Sequence, residues 1–558
     1  MEVQRAWHEH LVYPHWAEAP NWGTGEPRFV FYPPLSWITG ALLGTLVGWQ
    51  WAAGVFTWLC LAASGFTTRA LARTFLPASN ATLAGVLATT APYALFVAYE
   101  RTAYSELAAA ALIPLLLLFA LRKDRASDSF FRAAFAGAWR LALTLAVIWL
   151  TNAPAGVIAS YLLVFAAFMA AWMQRSWLPA LRAIIAAPVA LGLAAIYLVP
   201  AAWEQRWIAV DQALDVGMRV SDSWLFAHHW GPDMQLHDEI LRTASTILLA
   251  TAIAATAGFL LRLRTKRLYR STKTIWLPLA VMIGLVLVLQ FPISWPLWRL
   301  LPKMQFLQFP WRWMIVLDVP FAIFAAAAVP LANLRCGRQS SGRPWLAGAA
   351  WTVVILAITG IAGRYYFQPC DEEDSPAGQM AVFSDGSGVE GTDEYAPSGA
   401  DNSLVTDNLP DACLVTDATR ELGDTSSGSS GSSATSVSPE WYAELGTCDA
   451  TFNATLWQTE HKTFSIDSDD DGYLVLRLRR YPAWHVTING AAVESLTSRE
   501  DGLMTLPMHQ GPAKIDIRWA DTPDQRMGRE ISAASLVVFL ALIATGLKKR
   551  RSAIHLSS

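Results

Sequence analysis

Residues 79–121 read SNATLAGVLATTAPYALFVAYERTAYSELAAAALIPLLLLFAL. Two apolar blocks, 79–98 and 104–121, are separated by a turn of a few polar residues. A helix needs ~20 apolar residues to cross a hydrocarbon core of ~30 Å. The stretch therefore reads as a hairpin that crosses a membrane twice. Three charges interrupt it: Glu100 and Arg101 in the turn, and Glu106 a few residues into the second block.

The same pattern recurs on both sides of this hairpin. Further crossings are expected at 51–71, 137–151, 153–173, 178–201, 240–261, 275–291, 311–333, 345–363 and 531–547, eleven in all. Composition agrees. Hydrophobic residues make up 53% of the 558 and charged residues 16%, where a soluble domain carries about 25% charged. Many of the 26 tryptophans sit at the ends of apolar blocks, where an amphipathic ring suits the membrane interface.

The net charge of −3 conceals an asymmetry. Arg364 to Glu530 holds 29 acidic and 11 basic residues, a net of −18, and the remainder nets +15. Basic loops mark the cytoplasmic side of a membrane protein. Arg122, Lys123, Arg125 and Arg132 fill one loop; Arg262 to Lys273, Arg335 to Arg343 and Lys548 to Arg551 supply three more. All four agree with one alternating topology. It places the C-terminus in the cytoplasm, and the 202–239 loop, the 292–310 loop and the acidic domain 364–530 outside. Pro34–Trp49 is apolar but short; it reads either as a further span, which would put the N-terminus inside, or as a helix lying along the interface, which leaves eleven crossings and an outward N-terminus. The expected organisation is an outward loop and interfacial helix over 1–50, a membrane domain over 51–363, the acidic domain over 364–530, and a final span and basic tail over 531–558.

The acidic domain divides in two. Residues 371–440 are rich in Asp, Gly and Ser, and Thr425–Ser438 is a low-complexity linker. Residues 460–520 read as strands. Tyr473–Arg480 alternates apolar and polar residues, Trp484–Ile488 runs into Asn489-Gly490, and Ala513–Trp519 follows. Asn-Gly between two such runs is a hairpin signal, and a small β-sandwich is expected. Cys413 and Cys448 form a candidate disulfide for a domain outside the cytoplasm. No Cys/His spacing suits zinc, and residues 1–30 lack the apolar run of a signal peptide. Phosphate-binding glycine loops and the G-x-S-x-G and H-E-x-x-H motifs are also missing, which disfavours an ATP-driven pump.

Four outward clusters carry the polar chemistry. Tyr13-Pro14-His15-Trp16, Asn21 to Pro27 and Phe31 to Leu35 alternate aromatic residues with Gly and Pro. They read as a membrane anchor or as a rigid substrate loop, with Trp22 and Tyr32 as its stacking rings. Tyr99 to Glu106 holds Arg101, which suits solvent or an anion, and Glu106, whose carboxylate needs a partner or a cavity at membrane depth. Trp203 to Trp207, followed by Asp222, His228, His229, Asp233, His237 and Asp238, is a loose His/Asp group, more a polar loop than a metal site. Gln305 to Trp313 sets Gln308 and Arg312 at the head of a span. Arg312 serves as a belt anchor or binds a lipid phosphate, to which its planar donor fork is suited. Together the clusters suggest one site for a sugar carried on a lipid phosphate. Arginines would neutralise the phosphate, rings would stack on the sugar, and a carboxylate would deprotonate the acceptor.

Gly25-Glu26-Pro27-Arg28-Phe29-Val30-Phe31-Tyr32-Pro33-Pro34-Leu35, Tyr99-Glu100-Arg101 with Glu106, and Gln308-Phe309-Pro310-Trp311-Arg312 resemble a bacterial multispanning family. It is described as 6-pyruvoyl-tetrahydropterin synthase-related, a label that implies no pterin chemistry. The family looks like a branch of the GT-C glycosyltransferase architecture, similar to the YfhO-like proteins. The resemblance implies a sugar donor on a polyprenyl phosphate at the outer face of the bacterial cytoplasmic membrane. Members begin with a span and an acidic residue at the head of the first outward loop. This chain begins inside that loop, so the expectation is a misplaced start or a shortened form. Glu2, Glu9, Glu18 and Glu26 do not match the acid's position and carry no catalytic role.

The expected function is a GT-C-like transferase in which Arg101 and Arg312 bind phosphate and Glu106 positions them. Tyr32, Trp22 and Gln308 line the site. No cofactor is required, and a divalent cation is compatible. The partners are the lipid-linked donor, membrane lipid and a glycan or protein acceptor, with no nucleic acid. The alternative is a non-enzymatic envelope protein that binds or exports a lipid-linked glycan or polymer. A transporter ranks last, because the halves show no repeat.

Overall fold

A computed structural model of the chain describes residues 1–123, 130–264, 272–329, isolated positions from 349 to 366, 375–406, 409–415, 452–493 and 499–555. Among these, seven helices are long and apolar enough to cross a membrane: Trp49–Ala72, Ala78–Glu100, Ala133–Thr151, Ala153–Gln174, Pro232–Leu263, Pro310–Ala328 and Pro523–Gly546. Two bent pairs would raise the number to nine. They fall on the expected crossings 178–201 and 275–291. Leu178–Leu193 turns by 71° into Ala195–Trp207, and Lys273–Val288 turns by 101° into Pro292–Leu300. Tyr104–Ala120 and Pro34–Val47 are shorter apolar helices. Most of the crossing expected at 345–363 lies outside the described residues, as do Arg125, Lys266, Arg267, Arg270, Arg335, Arg338 and Arg343 of the basic loops.

Local chemistry explains the breaks. Ala78–Thr89 stops one residue before the extended Ala91, and the chain restarts at Pro92–Leu95. Pro92 has no N–H to continue the ladder, but its fixed φ suits the first position of a new helix. The restarted helix closes as a wide π turn over Phe96–Glu100, a feature frequent at functional sites. Pro34–Val47 has 14 residues, about 21 Å of helix at ~1.5 Å per residue, short of the ~30 Å needed to cross. It ends at Gly48 (φ 84°), where the next helix begins at once.

Pro310–Ala328 is the axis of the bundle. Its apolar window is 83% buried, against 17% for Pro523–Gly546 at the periphery. Small residues let neighbours approach closely. A Cβ at Gly258 would lie 2.7 Å from the Phe324 backbone. The core gathers Tyr93, Phe96, Leu107 and Ile113 around Met314 to Ala327.

The polar domain is a two-sheet antiparallel structure. Its strands are β1 Ala412–Val415, β2 Asn453–Gln458, β3 His461–Ser468, β4 Gly472–Arg479, β5 Trp484–Ile488, β6 Ala491–Ala492, β7 Leu503–Met508 and β8 Gly511–Trp519. One sheet has the order β1-β4-β7, the other β2-β3-β8-β5-β6. Alternation along β8 buries Ala513, Ile515 and Ile517, as a half-buried strand requires. Asn489 and Gly490 join β5 to β6 with φ of 51° and 83°, the positive pair of a tight hairpin turn. Cys413 on β1 is disulfide-bonded. Cys448, the expected partner, lies outside the described residues, as does Thr425–Ser438.

The first loop is packed on this domain. Trp16 sits among Tyr481, Trp484 and Trp519. Glu460 Oε1 accepts from the His15 N–H at 2.5 Å, and Glu9 Oε2 from the Thr459 N–H at 2.8 Å. Residues 1–33 thus form a layer between the bundle and the β domain.

Candidate functional site

Glu106 lies in the first turn of Tyr104–Ala110, where a carboxylate complements the helix dipole. It is 3% exposed. Three side chains converge on it. Tyr93 OH donates to Oε1 at 2.6 Å, and Arg101 Nη1 donates to Oε2 at 2.8 Å. Arg312 Nε stands 3.6 Å from the same Oε2, an ion pair beyond hydrogen-bond reach. Arg101 Nη1 also reaches Tyr93 OH at 3.4 Å.

Each group is placed by a local irregularity. The Pro92 restart aims Tyr93. The π turn ends at Arg101, and Thr102 (φ 44°) closes the tight bend to Tyr104. Arg312 sits in the Pro310–Trp313 turn that opens the axial span, its guanidinium over the Phe309 ring at 5.2 Å. Arg312 Nη1 donates to Leu307 O at 3.1 Å. From a third side, Asn152 Nδ2 donates to Ser105 Oγ at 3.0 Å while its Oδ1 caps the next helix at Ala155 N.

The charge count is uneven. Two guanidinium groups face one carboxylate, leaving a net positive charge in a largely desolvated place. A buried excess charge is unfavourable unless something pairs with it. The cluster is therefore suited to an anion, and arginine forks favour phosphate or carboxylate oxygens.

The structure brings Arg101, Glu106 and Arg312 together. Tyr32 is 44% exposed, meets Tyr395 edge-on at 6.2 Å, and lies within electrostatic reach of Arg312. Gln308 adopts φ 61°, and its Nε2 donates to Ala213 O at 2.7 Å. Its side chain straps the 202–239 loop to the head of the span. Trp22 packs against an apolar cluster that includes Val405, Leu409 and Cys413, and its carbonyl accepts from Arg477 Nε at 2.7 Å. It belongs to the wall between the first loop and the polar domain.

Tyr93 was not foreseen, since a tyrosine in an apolar block attracts no notice. The proline before it was the available signal. Asp318 of the axial span lines a small cavity with Tyr93, Ser64 and Thr68, and its Oδ1 has no hydrogen-bond partner among the described residues. Glu26 is fully buried. Its Oε1 accepts from Arg28 Nε at 2.6 Å, and its Oε2 from Asn21 Nδ2 and Thr392 N, each at 3.1 Å. Glu204 joins the domains. It accepts from Tyr481 OH of the β domain and, at Oε1, from Thr522 Oγ1 at 3.2 Å and Gln525 Nε2 at 3.0 Å beside the last helix.

The His/Asp group of the 202–239 loop is organised by hydrogen bonds. Asp238 takes His228 Nδ1 and His229 Nδ1 at 2.6 Å each, and His237 Nε2 meets Asp222 O at 3.0 Å. Among the described residues no group of three or more His, Cys, Asp and Glu is arranged to hold a metal ion.

The sequence model of a family described as 6-pyruvoyl-tetrahydropterin synthase related domain, membrane protein, matches residues 29–367. Among solved structures the chain is similar to ArnT from Cupriavidus metallidurans bound to undecaprenyl phosphate. Identity is 14%, over 59% of this chain and 71% of that one, at a TM-score of 0.25. No curated protein matches.

Proposed function

The chain belongs to the 6-pyruvoyl-tetrahydropterin synthase related family of membrane proteins, and on that premise we propose that it is a GT-C-like glycosyltransferase using a sugar carried on a polyprenyl phosphate. The site would face the outer side of the bacterial cytoplasmic membrane. The observation that carries the reading is the pairing of one buried carboxylate, Glu106, with two guanidinium groups, Arg101 and Arg312. Among the described residues the Arg312 guanidinium makes one hydrogen bond, to Leu307 O. Most of its five N–H donors remain for phosphate oxygens.

In this reading the C1–O bond to the lipid phosphate breaks, a bond from C1 to an acceptor oxygen forms, and the acceptor's proton passes to the departing phosphate. Negative charge grows on the departing phosphate, where Arg101 and Arg312 stabilise it. Glu106 holds both arginines in place. Its engagement by Tyr93 and Arg101 leaves it poorly set to take the acceptor's proton, so it is a positioning residue. A divalent cation is compatible with the reading, but the arginines supply the needed charge.

That same engagement favours a second reading, a non-enzymatic envelope protein that binds or exports a lipid-linked glycan or polymer. Transfer of labelled sugar from polyprenyl-phosphate donors by the purified chain separates the two. The transferase reading expects turnover that Arg312→Ala abolishes and Arg312→Lys retains in part. Undiminished transfer by a correctly folded Arg312→Ala protein would overturn the assignment.

A further inference from the structure

A cleft of about 330 Å³ opens where the first loop meets the polar domain, within the ~300–1,000 Å³ of small-molecule sites. We propose that it binds a sugar residue bearing a positively charged amine. Trp22 supplies an aromatic wall and Gln212 and Asn402 supply planar amides, the groups that stack on a sugar face and bond its hydroxyls. Glu390, Asp393 and Asp401 stand at the exposed rim. Two of them are held in position. Asn402 Nδ2 donates to Asp393 Oδ1 at 2.6 Å, and Asp401 Oδ1 accepts from Ser403 N at 2.9 Å and Ser403 Oγ at 2.7 Å. Among the described residues no lysine or arginine lines the cleft. Arg479 lies buried beneath it, bonded to Asn402 Oδ1; Glu26 and Asp501 are ion-paired with Arg28 and Arg499, so Arg479 offsets one of the three rim carboxylates and two remain. The rim therefore keeps a negative surplus that an ammonium group would match.

A second observation points to a ligand. Asn21 is 2% exposed; its Nδ2 donates to Glu26 Oε2, and its Oδ1 has no hydrogen-bond partner among the described residues. Its amide lines the cleft beside Gly391, packed so closely that a Cβ there would lie 2.0 Å from Oδ1, 2.2 Å from Cγ and 2.4 Å from Nδ2. An unpaired acceptor in the lining of a cleft is unfavourable, and a hydroxyl donated by a bound sugar would satisfy it.

Position links the cleft to the arginine cluster. The segment carrying Glu390 and Asp393 continues to Tyr395, which stacks on Phe31 at 5.4 Å and meets Tyr32. Tyr32 in turn lies within electrostatic influence of Arg312, as Tyr93 does. Naming the bound sugar as the acceptor rests on the transferase reading; its binding does not.

The test is saturation-transfer NMR on the full chain in nanodiscs, with glucosamine, N-acetylglucosamine and glucuronate as probes, at a pH where the amine is charged. Glucosamine should bind about five-fold more tightly than N-acetylglucosamine, as partly exposed ion pairs allow, and glucuronate should give no signal. Asp393→Asn with Asp401→Asn should erase that preference without altering the melting temperature. Arg312→Ala should leave glucosamine binding intact, so a failed transferase reading and a failed cleft are told apart. Equal signals from all three sugars, no signal from any, a preference that survives the double substitution, or displacement of glucosamine by trilysine at lower concentration would each overturn the proposal.

Discussion

The hydroxyl of Tyr93 donates to Oε1 of Glu106 at 2.6 Å, while the other oxygen of that carboxylate faces two guanidinium groups. Tyr93 thus fixes the carboxylate that fixes the arginines. Tyr93→Phe removes a hydrogen bond to a charged group, worth about 1.5–3 kcal/mol, with little change of shape. The expected result is a lower melting temperature in detergent and weaker polyprenyl-phosphate binding, with secondary structure unchanged. Unaltered stability and binding would show that the hydroxyl holds nothing in place.

Glu106→Gln leaves two arginines facing each other without a counter-charge. Breaking a buried pair costs about 3–5 kcal/mol, so the variant should be destabilised by that order in apo form. An added anion should restore more stability to it than to the wild type. Thermal unfolding with and without inorganic phosphate checks this. Equal phosphate effects on both proteins would argue against an anion site at the cluster.

The junction through Glu204 makes a separate prediction. Its carboxylate collects donors from the β domain and from the start of the last helix. Tyr481→Phe removes one of them, a loss of about 1.5–3 kcal/mol. Amide hydrogen exchange should rise in β5 and around Thr522 together. Exchange confined to β5 would mean that Glu204 does not couple the two parts.

In the β domain, hydrogen bonds from Arg518, with His461 and Thr463, pull the Asp516 carboxyl down to about 2. An unfolded aspartate titrates near ~3.9. A depressed carboxyl stabilises the fold above its unfolded value, and that stabilisation is lost as pH falls through the folded one. Melting of the β domain in the full chain should therefore soften between pH of about 4 and 2, and Asp516→Asn should flatten that dependence. An unchanged pH profile in the variant would remove Asp516 from the account.

Much of this was legible in residues 79–121. Two apolar blocks, a polar turn and an acid beside it announced a pair of helices and singled out Glu106, though the second, Tyr104–Ala120, is shorter than the crossing expected there; Arg312 stood out between two tryptophans. Tyr93 was hidden because its role depends on the helix restart at Pro92, which a hydropathy pattern does not show. Gln308 looked like a site residue by proximity to Arg312, yet its side chain is spent on Ala213 O. Trp22 and Glu204 were noticed, but their partners lie hundreds of residues away, at Arg477 and Val405 for one and at Tyr481 and Gln525 for the other. Local spacing carries no record of such contacts. The hairpin Trp484–Ile488 with Asn489-Gly490 was readable because a two-residue turn dictates its own geometry.

The most direct measurement is binding of polyprenyl phosphate to the purified chain, read by native mass spectrometry for wild type, Arg312→Ala and Arg101→Ala. The account predicts a lipid adduct on the wild type that either substitution weakens at least ten-fold while the proteins remain folded. An adduct of unchanged strength on both variants would contradict a phosphate site between Arg101 and Arg312.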